Sequence, residues 1–155
     1  MKTDPPASRR TFIHGATALL AGSVTATSVP ALAQAQPAGT TPANRALFTI
    51  TENDPARWNL VLGNMHNLRE GVSPDSVEIE LVAFGPGLWM LRSETAVKQR
   101  VLDVMAEGCR VSVCQNTMRA MHLAPSDMMA EVGYVPAGVV EVMRRQQQGW
   151  AYIRS

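Results

Sequence analysis

Two cysteines, three histidines and a spread of carboxylates carry what covalent or metal chemistry this sequence can do, and their spacing narrows it sharply. His66 and His122 stand alone on stretches of helical spacing, the reading of a surface or core-edge histidine. No H-x-x-x-H or C-x-x-C pair joins them to Cys109 or Cys114, so no metal site is expected. Ser, His and Asp are present without a G-x-S-x-G elbow. Gly85-Pro86-Gly87 lacks the G-x-G-x-x-G spacing of a dinucleotide fingerprint, and no cofactor is expected. Met118, Met121, Met128 and Met129, four of nine methionines, crowd the region after Cys114. With no spaced copper motif they read as core or as a partner-facing patch. What remains is thiol chemistry, a thiolate attacking or exchanging sulfur.

The elements that must position such a thiol follow from the hydrophobic pattern. Ala46–Thr51 is a short apolar, β-branched run, a buried strand. Asp54-Pro55 reads as an N-cap with proline at the first helical position. The helix then runs to about Glu70 with Trp58, Val61, Leu62, Met65 and Leu68 inward, and Gly71 ends it. Val77–Phe84 begins alternating and finishes uniformly apolar, as a strand entering the middle of a sheet does. Gly85-Pro86-Gly87 breaks it and a short apolar turn follows through Leu91. Thr95–Glu107 is the second full helix, and Cys109–Cys114 the third strand. Asn116–His122 is a short helix, and Ser126 caps another brief turn. Val132–Val135 is the fourth strand. Ala137–Gln148 is a helix with Val139, Val140 and Met143 inward, and Trp150–Ile153 is the last strand.

Strands alternating with helices predict a mostly parallel sheet of about five strands with both faces covered. Right-handed crossovers make this a flavodoxin-like, three-layer α/β/α sandwich. In such folds ligands gather at the carboxyl ends of strands. Those ends read Thr51–Asp54, Gly85–Gly87, Cys114–Thr117 and Pro136–Gly138, and Cys114 is their one nucleophile. The candidate pocket therefore contains Cys114 with Asn53, Gly85, Pro86, Gly87, Gln115, Asn116, Thr117 and Pro136. A cysteine where a strand ends and a helix begins meets unpaired N–H groups that favour thiolate. The competing reading is a buried cysteine packed as a small hydrophobe.

Cys109 and Cys114 lie five residues apart along one expected strand, so their Cα atoms stand about 16 Å apart. A disulfide needs less than about 7 Å. Opposite parity also points them to opposite faces. Cys109 reads as core or sheet-end packing and Cys114 as a free thiol.

The chain has 155 residues, 46% hydrophobic and 17% charged, with a formal charge of +1. That balance offers no basic face for nucleic acid, and the few aromatics argue against a single-strand stacking platform. Ser8-Arg9-Arg10-Thr11-Phe12-Ile13 opens the chain, an uncharged stretch runs from Gly15 to Val29, and Ala31-Leu32-Ala33 follows. This is the order of a cleaved export signal of the twin-arginine type, residues 1–33, with cleavage after Ala33 or Ala35. The stretch is too short and too rich in Gly, Ser and Thr to be a membrane anchor. Its removal leaves 11 basic against 12 acidic residues, a formal −1. Residues 34–44 read as a disordered leader, and 45–155 as one folded domain in the periplasm, without membrane insertion.

With the strand-end cysteine in place, the sequence resembles the DsrE/DsrF-like family of sulfur-relay proteins. The resemblance rests on the strand leading to Gly85-Pro86-Gly87, on V-x-V-C-x-N-T-M at Val111–Met118, and on G-Y-V-P-A-G-V-V-E at Gly133–Glu141. Gln148–Ile153 is similar to an exported branch of that family. The resemblance implies a small α/β domain that forms homo-oligomers, and a sulfur atom held as a persulfide on Cys114. Its partners would then be a sulfur donor or acceptor protein. Asn116 and the following helix start would stabilise the sulfur, while Asn53 and Gly85–Gly87 shape the pocket. Two other classes stay open. One is a non-catalytic binding or assembly module in which Cys114 merely packs. The other is a thiol redox sensor, against which the missing resolving cysteine argues.

Overall fold

The computed structural model describes residues 44–73 and 76–155. The expected export signal (1–33) and all of the expected leader except Asn44 lie outside the described residues. Asn44, the last residue of the expected leader, belongs to a strand.

Five strands, β1 (Asn44–Ile50), β2 (Val77–Ala83), β3 (Arg110–Cys114), β4 (Gly133–Val135) and β5 (Ala151–Ile153), alternate with helices α1 (Pro55–Val72), α2 (Lys98–Ala106), α3 (Gln115–Ala120) and α4 (Gly138–Gln147). Short 3₁₀ segments fill Gly85–Leu91 and Pro125–Asp127. The sheet runs β4-β3-β2-β1-β5 and every pairing is parallel. This is the expected α/β class. No helix among the described residues is long and apolar enough to cross a membrane.

Strand alternation divides the core. Ala46, Phe48 and Ile50 of β1 share one face with Ile79 and Leu81 of β2 and Val111 and Val113 of β3. They pack under Trp58, Val61, Leu62 and Met65 of α1, Val101 and Val104 of α2, and Met118 of α3. Each large side chain buried there is worth about 1.5–3 kcal/mol. The other face carries Leu47, Val82, Val135 and Trp150 with Val142 of α4 packed on them. Among the described residues the helical cover on that second face is the ten-residue α4.

The second face also buries charge beside its apolar residues. Glu80 is 1% exposed. It accepts a hydrogen bond from Ser112 Oγ at 3.1 Å, lies 2.7 Å from Arg145 Nε and is 3.7 Å from Arg110. Arg145 Nε also lies 2.7 Å from Glu141, and Arg110 lies 2.5 Å from Glu78. Both guanidiniums sit over the Trp150 ring, at 5.2 and 4.9 Å. These charges reverse the expected orientation of α4. Its inward surface is Gly138, Glu141, Val142 and Arg145; of the three residues expected inside, Val140 is half-buried while Val139 and Met143 are 63% and 50% exposed.

Other boundaries shift for local reasons. Gly71 lies within α1, which stops instead at Ser73, whose φ of 73° breaks the helix. α2 begins at Lys98 rather than Thr95 because residues 92–97 form turns first. Cys109 precedes β3 rather than opening it. Ser126 lies inside its 3₁₀ turn, and it is Asp127 whose carboxylate accepts the Ala124 N–H at 2.8 Å.

Candidate functional site

Two neighbouring strands send their chains to opposite faces. β3 leads into α3, whose Met118 joins the α1 side, and β4 leads into α4 on the other. Such a divergence opens a crevice at the carboxyl ends of the strands. Cys114 stands in it, the last residue of β3 and the N-cap of α3.

Its sulfur meets the starts of both helices. Gly138 N–H, at the start of α4, donates to Cys114 Sγ at 3.1 Å. The Thr117 hydroxyl and the Thr117 and Asn116 N–H groups of α3 stand on its other side and favour the charged form. Asn116 N–H also donates to the Pro136 carbonyl at 3.2 Å, which ties the two strand ends together. Cys114 is 4% exposed. Burial is the largest single influence on its acidity and pushes the thiol up. The Thr117 hydroxyl, then Gly138 N–H, then the two α3 N–H groups together outweigh it, and the pKa lies below the ordinary thiol value. Hydrogen bonds to the charged form do this. Cys109 has no such cradle: burial, opposed by Arg69 and assisted by Glu107, pushes it up to about 11. Both cysteines are free thiols.

Cys114, Asn116, Thr117, Gly85 and Pro136 come together. Gly85 N–H donates to Thr117 Oγ1 at 3.0 Å. Gly87 sits against β1, where a Cβ would stand 2.2 Å from Ile50 O, so that close approach demands glycine. Pro86 between them is exposed. Asn116 Oδ1 accepts from Arg119, within α3. Gln115 turns to a separate, mainly apolar cavity of about 260 Å³ lined also by Met118, Arg119, Leu123, Pro125 and Tyr134. Asn53 lines another, of about 280 Å³, beside Trp58, Trp89, Arg92 and Glu94. Neither cavity is lined by Cys114.

Gly138 and Phe84 complete the site; Gly138 lay in the strand-end segment Pro136–Gly138 but was not chosen for the pocket, and Phe84 was not pointed to at all. Gly138 acts through its backbone N–H, which leaves no side-chain signature. Phe84 looks like the last apolar residue of a strand. Among the described residues no group of three or more His, Cys, Asp or Glu is placed to hold a metal ion. The arrangement suits a small, buried, anionic sulfur.

Residues 44–154 match the DsrE/DsrF-like family. A solved structure of a protein of unknown function from Methanobacterium thermoautotrophicum is 37% identical, with a TM-score of 0.69, covering 72% of this chain and 99% of that one. A conserved protein of unknown function from Bacteroides thetaiotaomicron shares the fold at 12% identity, with a TM-score of 0.60, covering 72% and 95%. The comparison with curated proteins gives no match. The chain belongs to the DsrE/DsrF-like family, a family associated in general with sulfur relay.

Proposed function

We propose that this protein is an exported sulfur carrier that holds a sulfane sulfur as a persulfide on Cys114. The observation that carries the reading is the Gly138 N–H donated to the sulfur of a strand-end cysteine whose pKa lies below the ordinary thiol value despite burial. A thiol more acidic than usual favours sulfur exchange. Loading is attack of Cys114 S⁻ on the outer sulfur of a donor persulfide, R–S–SH. A new S–S bond forms at Cys114, the donor S–S bond breaks, and its electron pair leaves with R–S⁻. Delivery is the same exchange with an acceptor thiolate, which leaves Cys114 as thiolate again. Neither step consumes an outside oxidant or reductant. Export to the periplasm by the twin-arginine route is supported by Arg9-Arg10, the uncharged stretch after them and Ala31-Leu32-Ala33.

Intact-mass spectrometry of the native, unreduced mature protein tests this, with and without dithiothreitol and iodoacetamide. One extra sulfur atom, lost on reduction and mapped to Cys114, is the expected result. Cys114→Ser should abolish it, and labile sulfur persisting in that variant rules the proposal out.

A second reading is favoured by two other facts. Cys114 is buried in the single chain, and α4 turns Val139 and Met143 outward. Both suit a homo-oligomeric binding or assembly module in which the thiol only packs. A single unmodified mass, with Cys114 alkylated only after denaturation, would decide for it.

A further inference from the structure

The end of β2 meets the Cys114 site twice, through adjacent residues. Phe84 packs on Gly138: a Cβ at position 138 would stand 2.9 Å from Phe84 Cδ1 and 3.0 Å from its Cβ. Glycine therefore lets α4 begin this close to β2, and it is the Gly138 N–H that donates to Cys114 Sγ. Gly85, the next residue, donates its own N–H to Thr117 Oγ1 at 3.0 Å. That contact ties Gly85 to the first turn of α3, whose Thr117 favours the charged form of the Cys114 sulfur. Both residues are fixed by backbone geometry: Phe84 N–H donates to Ile50 O at 3.1 Å. Gly85 has a φ of +56°, which glycine adopts without strain.

We propose that Phe84 and Gly85 are positioning residues for Cys114, the end of β2 being a template that sets the starts of α3 and α4 on its sulfur. The inference rests on the reading of Cys114 as the reactive group, but it concerns that group's ionisation and not its cargo.

The far-ultraviolet absorbance of the thiolate, followed against pH and corrected with Cys114→Ser, reads the Cys114 midpoint. Cys109, pushed up to about 11, does not interfere. Phe84→Ala frees the start of α4, and the thiolate fraction at a fixed pH below the midpoint should fall about tenfold, the loss of roughly one charge-assisted hydrogen bond. Phe84→Tyr keeps the ring and should keep the wild-type midpoint. Where Phe84→Ala does not fold, Phe84→Leu is read in its place, with a rise in midpoint expected. An unchanged midpoint in a folded Ala or Leu variant overturns the proposal. In the wild-type protein the Gly138 amide proton should shift through the same midpoint and stay flat in Cys114→Ser. A Gly138 resonance silent through that titration overturns the proposal equally. A protein that meets these expectations but never carries sulfur refutes the persulfide reading and leaves this one standing.

Discussion

Cys109 and Cys114 flank β3 at its two ends and are driven in opposite directions as acids. Burial raises Cys109, whereas the donors around Cys114 overcome the same influence and lower it. Stability should carry both signs. Between its native and unfolded values the native Cys114 holds fewer protons than the unfolded chain, so its contribution grows with rising pH and is lost as pH falls through the native value. Cys109 does the reverse: its contribution is full below the ordinary 9.0 and is lost as pH rises to about 11. Urea titrations at several pH values should show wild type losing stability above pH 9 on the order of 2 kcal/mol more than Cys109→Ala. Parallel curves for the two proteins would contradict the burial of a neutral thiol.

Glu80 holds α4 to the sheet from the end opposite Gly138. Glu80→Ala takes a buried carboxylate from Arg145, which keeps Glu141, and from Arg110, and leaves the Ser112 hydroxyl without its acceptor. Removing one partner of a buried ion pair costs about 3–5 kcal/mol. Thermal or urea denaturation should show a loss of that order, with Arg145→Ala close behind. A loss under 1 kcal/mol would mean that water reaches the pair.

Two glycines should respond oppositely to alanine. At Gly87 a Cβ collides with the Ile50 carbonyl, a backbone atom that cannot swing aside, so Gly87→Ala should cost about 3 kcal/mol or prevent folding. At Gly71, near the end of α1, nothing lies within 4 Å. Gly71→Ala should stabilise by about 0.5–1 kcal/mol. Calorimetric melting of the two variants checks both signs.

Val139 and Met143 form an apolar pair one turn apart on the outside of α4. Val139→Ser with Met143→Ser should change monomer stability by less than about 0.5 kcal/mol. If copies of the chain meet on this face, the same variant should lower the mass seen by light scattering. A variant that keeps the wild-type mass places any assembly elsewhere.

Much of the fold is legible because its strands are apolar and its helices are punctuated. Ala46–Thr51 and Val77–Phe84 are short β-branched runs, and Asp54-Pro55 marks the start of α1, where the Asp54 carboxylate accepts the Ala56 N–H. Cys114 is legible as a strand end followed by a helix. Gly138 is legible as part of a strand-end segment, but its role is not, since a backbone N–H looks the same in any residue. α4 is misleading for a different reason. Periodicity assumes that the sheet beneath a helix is wholly apolar, but here it also offers Glu80, Ser112 and Arg110, so Glu141 and Arg145 turn inward beside Val142 while Val139 and Met143 turn out.

The sheet order has a consequence for how the chain folds. β5 pairs with β1 across nearly the whole domain, and Thr49 and Tyr152, joined by a 2.9 Å hydrogen bond, are 103 residues apart. β1, β2 and β3 each pair with the next strand in sequence. Long loop closures are slow and are rewarded late, so the β1–β5 edge should form after the rest of the sheet. α4 spans the connection to that edge, and its first residue supplies the N–H on Cys114. The Gly138 hydrogen bond on Cys114 arrives with that closure, so its share in the acidity of Cys114 belongs to the finished domain.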